Sequence, residues 1–241
     1  MKEKFGTVIL FLIPFITFCQ MNSSIDIVSG IDYSHRYLKS SNEDHIVQAI
    51  LITREGESGK PNWRFGINFN QKFARKLFFK TGLRLISVGY KTKKRTNLRW
   101  PSEIDGTGMH TPDPSLPHEI QFIYNYWFTE IPLAVRFELN EKKLSPFCEL
   151  GVSPSIYLTT KTISISDLTT KTSYQRGGRS SFNKIHFVAA FSFGINYLIM
   201  EGLQFFGQPS FRYHLTSSGD GPIGEHLYNI GIEIGLRKRL R

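Results

Sequence analysis

The chain has 241 residues, of which 40% are hydrophobic and 14% aromatic, and this composition excludes disorder over most of its length. Its two cysteines exclude a scaffold held together by several disulfides. The formal net charge of +10 means that anionic partners, nucleic acid or lipid, have to be considered.

The first twenty residues have the pattern of an export signal. Lys2 and Lys4 precede an almost wholly apolar run over residues 5–18. About fourteen residues suit the apolar core of a signal peptide and are too few to span a membrane as a helix. Thr17 and Cys19 supply small residues where a signal peptidase cleaves, so we predict cleavage before Gln20. Residues 1–19 are then the signal peptide and residues 20–241 the exported domain.

Cys19 leaves a second route open, in which it is lipidated and becomes the new N-terminus. That route favours a small residue before the cysteine, and Phe18 is large. If Cys19 is removed with the signal peptide, Cys148 is the one remaining cysteine and the mature chain can form no internal disulfide.

Alternation of apolar and polar residues with a period of two dominates the chain after residue 20 and is typical of β-strands. The clearest stretch places Phe187, Phe191 and Phe193 on one face. In another stretch the phase slips near Leu85 and Ile86, which predicts a bulge. We predict eight strands, over residues 24–38, 63–73, 77–92, 119–139, 146–158, 182–197, 203–215 and 226–237.

The connections between these strands alternate in length. Residues 39–62, 93–118, 159–181 and 216–225 form long connections, whereas residues 74–76, 140–145 and 198–202 form short ones. Strands that run up and down place alternate connections at opposite ends, as in outer-membrane barrels. The sequence therefore predicts an all-β fold, an eight-stranded antiparallel up-and-down transmembrane β-barrel with a periplasmic N-terminus. The apolar residues 46–53 in the first loop either extend the strands or form a short helix.

The polar face of the predicted strands is rich in glycine, serine and asparagine, which suits the crowded interior of a small barrel. Charged residues on this face must pair, because an unpaired buried charge costs several kcal/mol. An eight-stranded barrel has room for side chains and none for a water channel. We predict a paired charge network that closes the lumen, formed by Arg64, Lys80, Arg84, Glu130, Arg136, Glu149, Arg212 and Glu233.

Aromatic residues gather near both ends of the predicted strands, as in the two belts that lie where lipid headgroups meet acyl chains. The predicted belt at the loop end consists of Trp63, Phe65, Tyr90, Tyr124, Tyr126, Trp127, Tyr157, Tyr213 and Tyr228. The belt at the turn end consists of Phe73, Phe79, Phe137, Tyr197 and Phe205.

Three segments resemble strands of the Bacteroidetes outer-membrane β-barrel proteins known as PorT-like. They are TEIPLAVRF at residues 129–137, PFCELGVSP at residues 146–154 and HLYNIGIEIGL at residues 226–236. The resemblance covers essentially the whole exported chain. It implies an eight-stranded barrel in the outer membrane and, for most members, no defined activity.

No catalytic, cofactor-binding or metal-binding constellation is predicted. Ser34 and His35 at the top of the first strand are the nearest approach to a lipid-cleaving site, but no third partner is identifiable. The adjacent pairs His118 with Glu119 and Glu225 with His226 are far more typical of solvated rim residues than of a metal or acid–base site.

We therefore expect a barrel in the cell outer membrane with a structural or loop-mediated interaction role, no enzymatic activity and no open pore. Its partners would be outer-membrane lipid and an envelope protein bound through the extracellular loops. The predicted signal peptide argues against nucleic acid. The alternative is a secreted soluble barrel of lipocalin type, with an apolar interior that carries an apolar ligand.

Overall fold

The computed structural model describes residues 23–40, 44–54, 56–104, 106, 108–140, 142–176, 183–219 and 223–240. The predicted signal peptide, with Cys19, therefore lies outside the described residues. Within the described residues, no helix is both long and apolar enough to cross a bilayer.

The described residues form one α-helix and ten antiparallel strands. The helix, α1, is His45–Arg54, and a short 3-10 turn occupies Pro101–Glu103. The strands are β1 Ser23–Lys39, β2 Ser58–Ala74, β3 Leu77–Lys91, β4 Ile120–Glu130, β5 Leu133–Glu138, β6 Leu144–Ser166, β7 Thr170–Arg176, β8 Ile185–Met200, β9 Leu203–His214 and β10 Gly224–Arg239.

The strand pairings run in a ring. β1 pairs with β2 on one side and with β10 on the other, and β2 also pairs with β3. β4 and β5 lie end to end between β3 and β6, and β8 and β9 then lead back to β10. With β4 and β5 counted as one line, the ring contains the predicted eight antiparallel up-and-down strands.

The predicted strand over residues 119–139 is divided because Ile131 and Pro132 leave the ladder between β4 and β5. Proline has no backbone N–H to donate, so it cannot continue a regular ladder. Ile131 N still donates to Pro154 O at 3.0 Å, which keeps the two halves in line.

The third long connection is shorter than the sequence predicted. β6 continues to Ser166 and turns back through β7, so most of residues 159–176 form a hairpin and not a loop. The segment from Thr159 is rich in threonine and isoleucine, which favour strands. It lacks the run of large apolar residues on one face that identified the other strands, and the prediction therefore ended too early.

The two faces of the sheet differ in the way expected for a membrane barrel. The outward side chains are apolar and exposed, for example Ile27, Ile31 and Ile232. The inward side chains are polar and buried, for example Asp26 and Arg136, both 0% exposed. A lipocalin-like barrel requires the opposite arrangement, so the soluble-carrier alternative was wrong.

Residues 46–53, for which the sequence left two structures open, lie in helix α1. The bulge predicted near Leu85 and Ile86 of β3 is not there, and the irregularity lies instead on the neighbouring strand β2. β3 keeps Arg84, Ile86 and Tyr90 inward without a change of phase, and the β2–β3 register shifts by one residue between Gly59 and Arg64. The apparent slip arose because the inward face of β3 changes from charged to apolar.

The aromatic belt at the turn end has the predicted composition. All five of its residues face outward, and each is at least partly exposed. At the loop end, Trp63 and Trp127 form an outward pair with ring centroids 4.9 Å apart. Four residues assigned to that belt instead face the lumen. These residues are Tyr90, Tyr124, Tyr126 and Tyr157. On β3 and β4 the inward phase of the charged residues continues to the loop end, and on β6 it continues as far as Tyr157, where the register against β4 shifts.

Candidate functional site

The lumen begins at the turn end with a buried group on β1, β5 and β10. Arg237 donates from Nε to Asp26 Oδ1 at 2.8 Å and from Nη2 to Asp26 Oδ2 at 3.0 Å. Its Nη1 reaches Glu138 Oε1 at 3.0 Å, and Glu138 also accepts from Asn196 Nδ2 at 3.1 Å. A bidentate guanidinium–carboxylate pair fixes direction as well as charge, so this group ties the first strand to the last.

A second group joins β3, β5 and β6. Lys80 Nζ lies 2.6 Å from Glu149 Oε1, and Arg136 Nη2 lies 3.1 Å from Glu149 Oε2. The Arg136 guanidinium also lies 4.1 Å from the centre of the Phe147 ring. One carboxylate therefore pairs with two cations that have no access to water, while an aromatic face covers the guanidinium.

A third group lies at mid-height and is centred on Glu233 of β10. Arg64 Nε lies 3.0 Å from Glu233 Oε2, Arg84 Nη2 lies 3.4 Å from Oε1, and Gln208 Nε2 donates to Oε1 at 2.6 Å. Arg64 also lies 3.2 Å from Asp32. These contacts connect five strands across the lumen, namely β1, β2, β3, β9 and β10.

The fourth group is the pair of Arg212 with Glu130, on β9 and β4. All eight residues of the predicted lumen network are buried, and the contacts divide them into three of these four groups. The first group, Asp26, Glu138 and Arg237, consists of charged residues that the predicted network omitted, and Asp32 of the third group was omitted as well. Period-two alternation of the sequence places Asp26, Asp32 and Arg237 on the polar face, so the signal for them is present in the sequence.

The buried charges of the strand lumen balance. Among the described strand residues below the loop-end cavity, six basic and six acidic side chains are buried. The basic residues are Arg64, Lys80, Arg84, Arg136, Arg212 and Arg237, and the acidic residues are Asp26, Asp32, Glu130, Glu138, Glu149 and Glu233. An equal number of opposite charges in contact leaves the low-dielectric interior neutral.

A collar of apolar side chains lies between the four charged groups and the loop end of the barrel. It is formed by the buried side chains Ile86, Val88, Tyr90, Tyr126, Phe128, Tyr157 and Leu227. Phe128 lies at its lower edge, with its ring centroid 5.2 Å from that of His186 and 5.3 Å from that of His214. Above the charges, the lumen is therefore filled with packed rings.

Above the collar, the barrel opens into a cavity of about 600 Å³, which we call the vestibule. Its floor is Arg36, whose Cζ lies 3.8 Å from the Tyr90 ring centroid. Arg36 pairs with Glu57, through Nε at 2.5 Å, and with Glu225, through Nη1 at 2.8 Å. The walls come from β3, β4, β6 and the first, second and fourth loops.

The second loop, residues 92–119, is anchored by one buried carboxylate. Glu103 accepts hydrogen bonds from Trp100 N at 2.8 Å and Asp113 N at 2.9 Å. His118 Nε2 lies 2.6 Å and His110 Nε2 3.3 Å from its oxygens. Backbone donation from Trp100 and Asp113, together with the two histidines, lowers the pKa of Glu103 to about 2.

The second loop is also tied to the β6–β7 hairpin. His118 N donates to Asp167 Oδ2 at 3.0 Å, and this backbone hydrogen bond is the main reason why the pKa of Asp167 lies below its usual range. The wall of the vestibule formed by the second loop is therefore held on both sides, by Glu103 within the loop and by Asp167 beyond it.

The adjacent polar pairs considered as chemical sites do not act together. Ser34 Oγ is buried against Gly89, whereas the His35 ring stacks on Tyr228 on the outer face. Neighbouring residues of a strand point to opposite faces, which separates such pairs.

The members of the two histidine–glutamate pairs also bind different partners. His118 binds Glu103 while Glu119 binds Lys94, and Glu225 binds Arg36 while His226 Nδ1 contacts His214 O. Within the described ranges, no cluster of three or more His, Cys, Asp or Glu residues could hold a metal ion.

Sequence comparison places this arrangement in a known family. The family model for the outer membrane protein β-barrel domain matches residues 27–218, most of the chain. The chain therefore belongs to that family, and it is a protein of the cell outer membrane. Its exposed apolar face is in contact with the lipid bilayer. No curated protein matches the chain.

Solved outer-membrane barrels resemble the chain at low identity. Neisserial surface protein A is 10% identical, with a TM-score of 0.44, over 90% of this chain and 97% of the other. The outer membrane protease OmpT from Escherichia coli is 9% identical, with a TM-score of 0.48, over 91% and 97%. OprG from Pseudomonas aeruginosa is 10% identical, with a TM-score of 0.40, over 92% and 97%. Similarity at this level does not bear on activity.

Proposed function

We propose that this protein is a closed outer-membrane barrel, without channel or enzymatic activity, that acts through its loop end by binding. The observation that carries the proposal is the filling of the lumen. Six buried cations and six buried anions occupy the strand region, and a collar of aromatic and aliphatic side chains covers them. A barrel of eight strands has an interior just wide enough for such side chains.

The binding role is supported by the contrast between the two ends of the barrel. The turn end has short connections, such as the one at residues 201–202, where Gly202 adopts φ +79°. The loop end carries helix α1, the anchored second loop, the β6–β7 hairpin and the vestibule. We assign this end to the cell surface, where it would meet an envelope partner, and assign the chain to the PorT-like group on its strand motifs.

The proposal is tested by reconstitution of the full chain in planar lipid bilayers. We expect no stepwise ion conductance, and a mobility on unboiled gels that shifts after boiling, which shows that the reconstituted protein was folded. Stable conductance steps from protein that shows the boiling shift would overturn the closed-lumen proposal. The same sample boiled before reconstitution is the control for contaminating channels.

The export signal is proposed separately, on the pattern of residues 1–19 alone. Protein purified from the outer membrane is expected to begin at Gln20, as read by mass spectrometry of its N-terminal peptide. A lipid-modified N-terminal Cys19 would establish the lipoprotein route instead.

A further inference from the structure

One wall of the vestibule is a continuous row of aromatic rings. Phe122, Tyr124 and Tyr126 follow one another along the inward face of β4, and Tyr90 lies beside them on β3. The ring centroids are 6.3 Å apart for Phe122 and Tyr124, 5.1 Å for Tyr124 and Tyr90, and 6.2 Å for Tyr90 and Tyr126. Such a wall presents ring faces and edges to a flat apolar surface of a ligand.

The vestibule is lined by more cations than its carboxylates can neutralise. Arg54, Lys93 and Arg95 line the cavity, and none of them forms a salt bridge with a carboxylate in the described part of the chain. Arg36 on the floor is already matched by Glu57 and Glu225. The six charged lining residues therefore give the vestibule a net positive charge, which attracts anions.

We propose that the vestibule binds a small organic anion that carries a ring. The ring lies against the aromatic wall, and the acid group lies among Arg54, Lys93 and Arg95. A cavity of about 600 Å³ lies in the range of pockets that hold small molecules, and pockets of this kind combine apolar walls with a few polar anchors. This inference rests on the proposed role of the loop end in binding.

Two sources share this chemistry, namely aromatic acids and acidic sugars. Calorimetric titration of the full chain in nanodiscs of phosphatidylcholine separates them, with phenyl phosphate and glucose 1-phosphate as probes. Inorganic phosphate tests the charge alone, and benzyl alcohol and glucose test the two rings alone. We expect one or both ring-bearing phosphates to bind at least about tenfold more tightly than any of the three single-feature compounds.

Substitutions at the rim test the site itself. Lys93→Gln with Arg95→Gln is expected to weaken binding of the ring-bearing phosphate by about tenfold or more, and added salt should weaken binding in the natural protein but much less in the variant. The matched control is Lys94→Gln, since Lys94 lies between the two and pairs outside the vestibule with Glu119 at 2.5 Å. The control should bind as the natural protein does.

Substitution on the aromatic wall gives an independent measurement. Phe122→Leu is expected to reduce the preference for phenyl phosphate over inorganic phosphate. Tyr174→Leu, in the exposed strand β7, should leave that preference unchanged. The boiling shift on gels confirms in each case that the variant has folded.

Three results would overturn the inference. Inorganic phosphate that binds as tightly as the ring-bearing probes would make the site a simple anion site. Benzyl alcohol that binds equally well, with no effect of the rim variant, would make it an apolar site. Absence of binding by both ring-bearing phosphates would remove the ligand class altogether. Channel activity in planar bilayers would reject the closed-lumen proposal without affecting this measurement.

Discussion

Glu233 shows how much of the lumen depends on a single carboxylate. It accepts a hydrogen bond from Gln208 and forms ion pairs with Arg64 and Arg84, which come from two different strands. Loss of this charge would leave the lumen with more buried cations than anions. Removal of one member of a buried ion pair is strongly destabilising because the remaining charge stays in a medium of low dielectric constant.

We expect Glu233→Gln to lower the free energy of unfolding by about 3–5 kcal/mol. The measurement is a urea titration of the folded barrel in detergent, followed by the gel shift. Glu119→Gln is the matched control, because its pair with Lys94 is exposed to solvent and should contribute less than about 1 kcal/mol. Equal midpoints for the two variants would contradict this account of the lumen.

Glu103 makes the order of the second loop dependent on pH. Its pKa is about 2 in the folded protein and 4.5 in an ordinary environment. A carboxyl with a lowered pKa stabilises the folded loop fully above its ordinary pKa, and this contribution is lost as pH falls through the folded value. The second loop should therefore remain ordered at pH 5 and loosen between about pH 4.5 and pH 2.

NMR of the backbone amides of Trp100 and Asp113 in detergent micelles measures this titration. We expect both signals to move with a midpoint near pH 2, because both amides donate to Glu103. In Glu103→Gln the transition should vanish and both amides should exchange with solvent faster at neutral pH. A midpoint near 4.5 in the natural protein would show that the carboxylate is not held in this way.

At the scale of single elements, the outward face of each strand has to match the lipid. Ile232 lies near the middle of β10 and is 62% exposed. Leu215 is also exposed but follows the end of β9 at the loop side. A charge on the lipid face is most costly at the mid-plane of the bilayer and much less costly near the headgroups.

Ile232→Lys is accordingly expected to destabilise the folded barrel by about 2–4 kcal/mol, against about 0–1 kcal/mol for Leu215→Lys. Folding into phosphatidylcholine vesicles across a urea series, scored by the fraction that shows the boiling shift, gives both values. The two substitutions introduce the same side chain, so similar losses would mean that depth in the membrane is not the cause.

The sequence predicted the strands and their faces well where alternation was uninterrupted, as for Ile27 and Ile31 on β1. The prediction failed where the inward face of the strands changes from charged to apolar. Ile86 and Tyr90 face inward because the lumen above the charged layers is apolar, and period-two alternation cannot show which of two apolar positions faces lipid. The strand β7 was missed because its residues are polar on both faces.

The two candidate sites, the charge network and the vestibule, also differed in how far the sequence could predict them. The charge network could be predicted because a charge on an inward face must have a partner. The vestibule could not, because Arg36, Trp100 and Ser218 come from separate segments whose distances in sequence carry no periodic signal. Glu103 was overlooked because its role depends on backbone amides that fold around its carboxylate. No pattern of residue types in the sequence indicates such an arrangement.

At the scale of the whole molecule, the contact of the first strand with the last holds the ring together. Ser29 is paired with Ile234, and the β1–β10 ladder runs from Ser24 with Arg239 to Lys39 with Gly224. We expect Ser29→Cys with Ile234→Cys, in a Cys148→Ser background, to be bridged by a short bismaleimide in the folded barrel. Ser29→Cys with Ile195→Cys should not be bridged, because Ile195 lies on β8. If the boiling shift shows that the barrel is folded and the first pair still does not react, the result would contradict closure of the strand ring.

The same ladder determines how the barrel must fold. Its paired residues lie farther apart in sequence than those of any other strand pair in the described chain, so their contact carries the greatest loop-closure entropy. Before β10 arrives, β1 and β9 each present an unpaired edge that could join another chain. Folding should therefore be slow for the size of the protein, and the incomplete barrel should depend on protection of those two edges until the last strand docks.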